Sequence, residues 1–130
     1  MINIIVVSHG NLADELINSA KMIIGECDSV FGVSLQPDET PEAFTEKINS
    51  IMVNLACQET LILIDMFSGT PSNIAARLVV NKNVECLTGV NLPMLIEAIL
   101  SREGSGVHEL VTLIAEIGIQ SIKNLKPVFK

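Results

Sequence analysis

The sequence predicts an α/β protein built on an open, doubly wound parallel sheet. Four short apolar runs, each of strand length, alternate with segments that have the apolar periodicity of amphipathic helices. The first run, residues 2–8, is apolar almost throughout, which is typical of a parallel strand covered by helices on both faces. Alternation of this kind indicates parallel strands joined by right-handed crossovers.

The first half of the chain contains two strands, each followed by a helix. Residues 2–8 form the first strand and residues 29–35 form the second. Asn11 is placed to cap the first helix, which ends at Gly25. The predicted apolar face of this helix consists of Leu12, Leu16, Ala20 and Ile23. Thr40, followed by proline, opens the second helix. The apolar stripe of the second helix consists of Phe44, Ile48, Ile51, Met52 and Leu55.

The second half repeats the alternation and ends in two helices. Residues 60–64 form the third strand, and residues 83–88 form a fourth, which a glutamate interrupts as in many edge strands. One helix runs to about Val80, another has Pro93 in its first turn, and the last spans residues 107–125. The apolar face of the last helix consists of Leu110, Leu113, Ile114 and Ile117.

Composition narrows the class of protein. A chain of 130 residues with 48% hydrophobic residues fits one well-filled domain, residues 1–130. A net charge of −7 argues against nucleic acid and anionic membrane surfaces as partners. Cys27, Cys57 and Cys86 form no Cys-x-x-Cys motif, so we expect a reducing cytoplasm and neither a disulfide framework nor a metal site. We expect neither export nor a membrane span, because the sequence shows no signal peptide and no apolar run of ~18 residues.

The chemistry is concentrated in residues 65–76, where the third strand ends and a helix begins. Gly69 relaxes the backbone, and Thr70, followed by proline, is placed to cap the helix. The N–H groups of Ser72 and Asn73 would then lack partners. A helix start with free donors and a partial positive charge binds phosphate well.

A histidine and a carboxylate follow two of the predicted strands. His9 ends the first strand and Asp65 ends the third, so neighbouring parallel strands would bring them to one crevice. A carboxylate bonded to Nδ1 would leave Nε2 unprotonated and nucleophilic. The alternatives are that His9 satisfies a loop carbonyl and that Asp65 is an ordinary strand end or helix cap. We expect the other histidine, His108, to be an exposed surface residue.

Three motifs lie at the ends of the predicted strands. They are Ser8-His9-Gly10, Asp65-Met-Phe-Ser-Gly-Thr-Pro-Ser-Asn73 and Gly89-Val-Asn-Leu-Pro-Met-Leu95. Together they resemble the signatures of the mannose-family IIA domain of the bacterial phosphotransferase system, over almost the whole chain. The resemblance implies four parallel strands in the order 2-1-3-4, with a short antiparallel fifth strand, residues 127–130, exchanged in a homodimer.

The resemblance also implies a function. It implies a cytoplasmic phosphotransferase component without cofactor or metal, which accepts a phosphoryl group from HPr and passes it to a IIB component for sugar uptake through membrane IIC and IID components. His9 matches the phosphorylated position and Asp65 its carboxylate partner. The phosphate would lie against Gly69, Thr70, Ser72 and Asn73. The resemblance also implies that the sugar itself is recognised by the membrane components.

The motif departs from the family at two positions. Ser68 stands where the family often has a second glycine, and Met66 stands where a hydroxyl sometimes occurs, so phosphate contacts at these two residues are not carried over.

A dimer contact is expected from a different feature, because the helix near residues 95–100 has more apolar side chains than one stripe against the sheet requires.

Other protein classes would share a parallel sheet. A flavodoxin-like binder would use a longer Ser/Thr/Gly loop after the first strand and aromatic rings to stack on a flavin, but the chain has four Phe and neither Trp nor Tyr. A signalling receiver would have acidic residues where Ser8 and His9 stand. A metal chelatase could place a histidine there, although His9 and His108 are the only two in the sequence.

Overall fold

The computed structural model describes residues 1–55 and 58–129, and these contain four strands and six helices. The strands are β1 (Asn3–His9), β2 (Val30–Leu35), β3 (Thr60–Ile64) and β4 (Val84–Thr88). The helices are α1 (Leu12–Ile24), α2 (Pro41–Asn54), α3 (Thr70–Ala75), α4 (Leu92–Ser101), α5 (Val107–Gln120) and α6 (Leu125–Val128). A single 3-10 turn, Leu78–Val80, follows α3.

The strands form one parallel sheet in the order β2-β1-β3-β4. This confirms the predicted fold class and strand order, and β4 lies at an edge as predicted. In the pairing of β1 with β3, Val7 is opposite Ile64. The carboxyl ends of these two central strands therefore meet at the same edge of the sheet, where the site is built.

Helices cover both faces of the sheet, and each face has its own apolar core. On one face, alternate residues of β1 and β3 pack against α1, α4 and α5. On the other face, the intervening residues pack against α2 and α3. Since every side chain from Asn3 to Ser8 is buried, β1 has almost no contact with solvent until it ends at His9.

The predicted apolar face of α1 is half right, because Ala20 is buried and Leu16 packs against the core, but Leu12 and Ile23 do not belong to the buried face. The residues buried against the sheet are Ala13, Ile17 and Ala20, whereas Leu12 and Ile23 are 47% and 62% exposed. The spacing of the buried set, i, i+4 and i+7, is also helical, so two overlapping stripes were available. The smaller alanines face the sheet because they allow the helix backbone to approach it closely. By contrast, the stripe predicted for α2 is confirmed, with Phe44 and Ile48 fully buried.

Two predicted helices end earlier than expected. The helix predicted to reach Val80 gives way to a 3-10 turn after α3, and none of the residues in that turn is buried. Valines have low helix propensity, and most helical stability comes from packing, so this segment has little to keep it helical. The last long helix ends at Gln120, where the Ser121 hydroxyl bonds the Gly118 carbonyl at 2.7 Å. Leu113 lies off the buried face of this last helix, and its side chain is 37% exposed.

The predicted fifth strand is not extended in this structure. Its described residues, 127–129, belong to or follow the short helix α6, which Asn124 caps by accepting the N–H of Lys126 at 3.3 Å. Lys130 lies outside the described residues. An extended segment needs a sheet edge to satisfy its backbone, whereas a helical turn satisfies part of its own.

Candidate functional site

The backbone of β1 and β3 brings His9 and Asp65 together. The parallel ladder continues past the last paired residues, since the Asp65 N–H donates to the Val7 carbonyl at 3.1 Å. His9 lies two residues after Val7 and so extends into the same crevice. The predicted meeting of the two residues at the carboxyl edge of the sheet is therefore present in the structure.

The Asp65 carboxylate accepts three hydrogen bonds, two of them from His9. Its Oδ2 lies 2.7 Å from His9 Nδ1 and accepts the His9 backbone N–H at 2.9 Å. Its Oδ1 accepts the N–H of Met66 at 2.9 Å. The Asp65 side chain is 11% exposed and that of His9 is 46% exposed. Three hydrogen bonds thus fix the orientation of the carboxylate, while the imidazole ring remains accessible to solvent.

This arrangement determines which ring nitrogen carries the proton. An ionised carboxylate can only accept hydrogen bonds, so Nδ1 carries the proton in the pair. In the neutral ring, Nε2 then has the lone pair. The nitrogen with the lone pair, Nε2, faces away from Asp65, toward Gly69.

The turn after His9 is fixed by Ser8, a role that the sequence analysis missed. Buried Ser8 Oγ accepts the N–H of Ala13 at 2.8 Å and donates to the Gly10 carbonyl at 3.2 Å. Ser8 thereby replaces the predicted cap Asn11, whose side chain makes no capping bond and instead accepts from Gln36. A serine at a buried strand end, two residues before a glycine with φ of 57°, is the sequence signal that could have suggested it.

The loop after β3 lies against the Nε2 edge of the imidazole. A Cβ placed on Gly69 would be 3.1 Å from both Cε1 and Nε2 of His9, and the φ of Gly69 is 93°. The predicted cap Thr70 is instead the first residue of α3, Gly69 occupies the cap position, and Thr70 makes no capping bond. Because the backbone turns sharply at Gly69, the helix begins one residue earlier than predicted.

Only some of the N–H groups that were predicted to bind phosphate lack a hydrogen-bond acceptor. The Asn73 N–H donates to the Gly69 carbonyl at 3.0 Å, so it is not the free donor that was expected. The N–H groups of Thr70 and Ser72 have no protein acceptor within residues 1–55 and 58–129. Because α3 has six residues, its dipole is shorter than that of the longer helix predicted here.

Two apolar side chains stand beside the pair. Met66 is 49% exposed and Phe67 is 75% exposed, although both follow a fully buried strand. Exposed apolar side chains next to an accessible imidazole are typical of a surface that another protein covers.

Other potential nucleophiles are less favourably placed. His108 is exposed as predicted, with a partner that the sequence did not suggest, since its Nδ1 lies 2.5 Å from Glu85 Oε2. Burial raises the pKa of the Cys86 thiol to about 11, with a further contribution from Glu85, so this thiol is protonated at neutral pH. Cys27 and Cys86 are free thiols, and Cys57 lies outside the described residues.

A model of the family described as the "PTS system fructose IIA component", EIIA-man, matches residues 3–115. The chain belongs to this IIA family of the sugar phosphotransferase system. The match includes both His9 and Asp65, and it confirms the resemblance drawn from the three motifs. The flavodoxin-like, receiver and chelatase alternatives are therefore set aside.

Relatives of this IIA protein are found among characterised sequences and solved structures. It is 34% identical to the sorbose-specific EIIA component of Lacticaseibacillus casei, over 88% of this chain and 83% of that protein. It is 37% identical to the mannose-specific EIIAB component of Escherichia coli, over 96% of this chain but only 40% of the longer protein. The EIIA crystal structure from Streptococcus agalactiae superposes with a TM-score of 0.92, at 30% identity, over 98% of this chain and 99% of that one.

Within the described ranges, none of the helices is both long enough and apolar enough to cross a bilayer.

Proposed function

We propose that this IIA protein is a phosphocarrier that accepts a phosphoryl group from HPr on Nε2 of His9 and passes it to a IIB component. The observation that carries the proposal is the 2.7 Å contact between His9 Nδ1 and Asp65 Oδ2, which orients the ring and leaves the lone pair on Nε2. The sugar is then phosphorylated by IIB during uptake through membrane IIC and IID components, with the IIA protein working on their cytoplasmic side.

The transfer requires one nucleophile and no proton acceptor. The lone pair of Nε2 forms a bond to phosphorus as the bond between phosphorus and the donor's histidine nitrogen breaks, and the donor nitrogen recovers its lone pair. The His9 ring becomes more positive as the new bond forms, and the Asp65 carboxylate stabilises that charge through Nδ1–H. The same geometry serves the reverse step, in which IIB removes the phosphoryl group.

The phosphoryl oxygens would lie at the start of α3. The free N–H groups of Thr70 and Ser72 are available as donors, together with their hydroxyls and the side-chain amide of Asn73. Gly69 allows this backbone to approach Nε2 because it has no side chain to intervene. Two backbone N–H donors are enough to bind the phosphoryl group transiently. A carrier must release this group to its next partner, so tighter binding would slow the second transfer.

The direct test is transfer between purified proteins. Incubation with phosphoenolpyruvate, enzyme I and HPr is expected to add one phosphate per chain, and subsequent addition of a mannose-family IIB is expected to remove it. Intact mass spectrometry measures both steps. A protein that stays unmodified while HPr itself is fully phosphorylated would contradict the proposal.

Gly69→Ala is expected to slow phosphoryl transfer strongly and to lower the free energy of unfolding modestly. The new Cβ would lie 3.1 Å from Nε2, so the ring must move or remain obstructed, and we expect a loss in rate of about tenfold to a hundredfold. The positive φ adds about 1–2 kcal/mol of strain. Single-turnover transfer from phosphorylated HPr and urea unfolding measure the two effects.

Gly25→Ala is the matched control for Gly69→Ala. Gly25 has a φ of 85°, and no atom lies within 4 Å of the position that a Cβ would take. The Gly25→Ala substitution therefore introduces the same backbone strain without contacting the site. We expect a similar loss of stability and an unchanged transfer rate. Equal rate losses in the two variants would show that strain alone, and not contact with His9, explains the effect of Gly69→Ala.

We also propose that the protein is a homodimer, with a contact that differs from the one expected near residues 95–100. In that helix Leu95 and Ile99 are buried in the chain's own core, although Leu100 is 62% exposed. More of the exposed large apolar side chains lie after Gly118, and these are Ile119, Ile122, Leu125, Val128 and Phe129. These side chains are between 58% and 80% exposed, and a second copy of the chain would bury them.

Sedimentation at micromolar concentration is expected to give a dimer. Replacing Ile122 and Phe129 together with aspartate should give a monomer, because charges in a desolvated contact are costly. Met22→Asp is the control, since Met22 is 87% exposed on α1 and should not affect assembly. A monomeric wild type would contradict the homodimer.

A further inference from the structure

A groove lies between the first turn of α2 and the exposed face of α3. Its volume is about 470 Å³, and it is lined by Pro41, Glu42, Thr45, Thr70, Asn73, Ile74 and Arg77. The four residues from α3 and the turn after it lie at i, i+3, i+4 and i+7, so they form one side of the groove. The residues from α2 form the other side.

The groove adjoins the imidazole of the proposed carrier site. Thr70 lines the groove, and the residue before it, Gly69, is the one whose Cβ position lies 3.1 Å from His9 Nε2. A protein that brings a phosphorylated side chain to Nε2 would therefore lie close to this groove.

Two opposite charges line the groove without neutralising each other. Glu42 and Arg77 are both exposed, and neither forms an ion pair within the described part of the chain. Lys47, farther along α2, behaves differently, because it pairs with Glu39 at 2.8 Å. The groove thus presents an anion on one side and a cation on the other.

We infer that this groove is a docking site for the protein that delivers the phosphoryl group, through a surface segment that carries both an acidic and a basic residue. The partner's carboxylate would pair with the guanidinium of Arg77, and its cation would pair with the carboxylate of Glu42. A guanidinium forms two parallel hydrogen bonds with a carboxylate, which fixes orientation as well as charge. The apolar lining residues Pro41 and Ile74 would help to exclude water from both pairs. This inference rests on the proposed function and adds the chemistry of its partner.

Charge reversal at the groove tests the inference. Arg77→Glu and Glu42→Arg, each tested alone with phosphorylated HPr as donor, should raise KM by about tenfold or more and leave kcat nearly unchanged. Lys82→Glu is the control, because Lys82 is an exposed cation that does not line the groove. It should change KM by less than about twofold, as expected for a screened surface charge. Unchanged KM in both groove variants would overturn the inference.

The double reversal, Glu42→Arg with Arg77→Glu, separates docking from general attraction. This variant keeps the wild-type net charge and the composition of the groove, but the two charges have exchanged sides. Paired contacts predict that KM stays at least as high as in the single variants. If long-range steering were the cause, the double variant would recover the wild-type KM, and that result would overturn the inference.

Two further readouts distinguish the ways in which the inference could fail. If the groove received a second copy of this chain, the single reversals would change the sedimenting mass and leave KM for HPr unaltered, which would also overturn it. If wild type is phosphorylated on His9 while the reversals have no effect, only the groove inference fails. If wild type takes up no phosphate, the proposed function fails and the groove inference fails with it.

Discussion

His9→Ala is expected to abolish phosphorylation of the protein by HPr. Within residues 1–55 and 58–129, Nε2 of His9 is the one nucleophile that a carboxylate orients and that also adjoins the loop before α3. Alanine removes it without adding bulk, and it leaves Asp65 with the backbone N–H groups of His9 and Met66. Intact mass spectrometry after incubation with phosphoenolpyruvate, enzyme I and HPr should show no added phosphate, whereas wild type shows one.

His108→Ala provides a matched control in the same molecule. His108 is also an exposed histidine whose Nδ1 contacts a carboxylate, that of Glu85, but it lies on α5, whereas His9 ends β1. This variant should be phosphorylated like wild type. Phosphate that persists in His9→Ala, or disappears in His108→Ala, would place the acceptor elsewhere.

Asp65→Asn is expected to slow phosphoryl transfer by about a hundredfold to ten-thousandfold. A carboxamide can donate its own N–H to Nδ1, which favours the tautomer with the proton on Nε2 and so removes the lone pair. It also has no charge with which to stabilise the phosphorylated ring. Single-turnover transfer from phosphorylated HPr measures the effect at the chemical step.

The structure adds a cost in stability to this substitution. The carboxylate accepts backbone N–H groups on both oxygens, and an amide has only one acceptor atom, so one of these N–H groups loses its acceptor. The lost hydrogen bond costs about 0.5–1.5 kcal/mol, which urea unfolding should detect. Glu85→Gln makes the same chemical change at the His108 pair and should leave the transfer rate unaltered. A normal rate in Asp65→Asn would reject the orienting role.

The sequence was most informative where burial alone determines structure. The continuous apolar runs of β1 and β3 have no alternative to the centre of a parallel sheet, so their positions and the meeting of His9 with Asp65 followed directly. The stripe of α2 was equally clear, because Phe44 and Ile48 belong to the only strong apolar face of that helix.

Prediction was less successful where two local solutions compete. In α1, two stripes one residue apart have helical spacing, and only the fit against the sheet decides between them. Ser8 and Asn11 can both cap the same helix, and the choice depends on the turn at Gly10. The groove formed by Glu42 and Arg77 could not be predicted, because it joins residues 35 positions apart on two elements whose relative placement is set by packing on the sheet.

The central claim is that the phosphoryl group resides on Nε2 of His9, and NMR of the phosphorylated protein tests it most directly. In protein labelled with the heavy nitrogen isotope, coupling to phosphorus identifies the bonded ring nitrogen, and the proton on the other nitrogen reports its contact with Asp65. We expect the coupling at Nε2 of His9, with Nδ1 still protonated. Phosphorus bonded to Nδ1, to His108 or to no histidine nitrogen would contradict the claim.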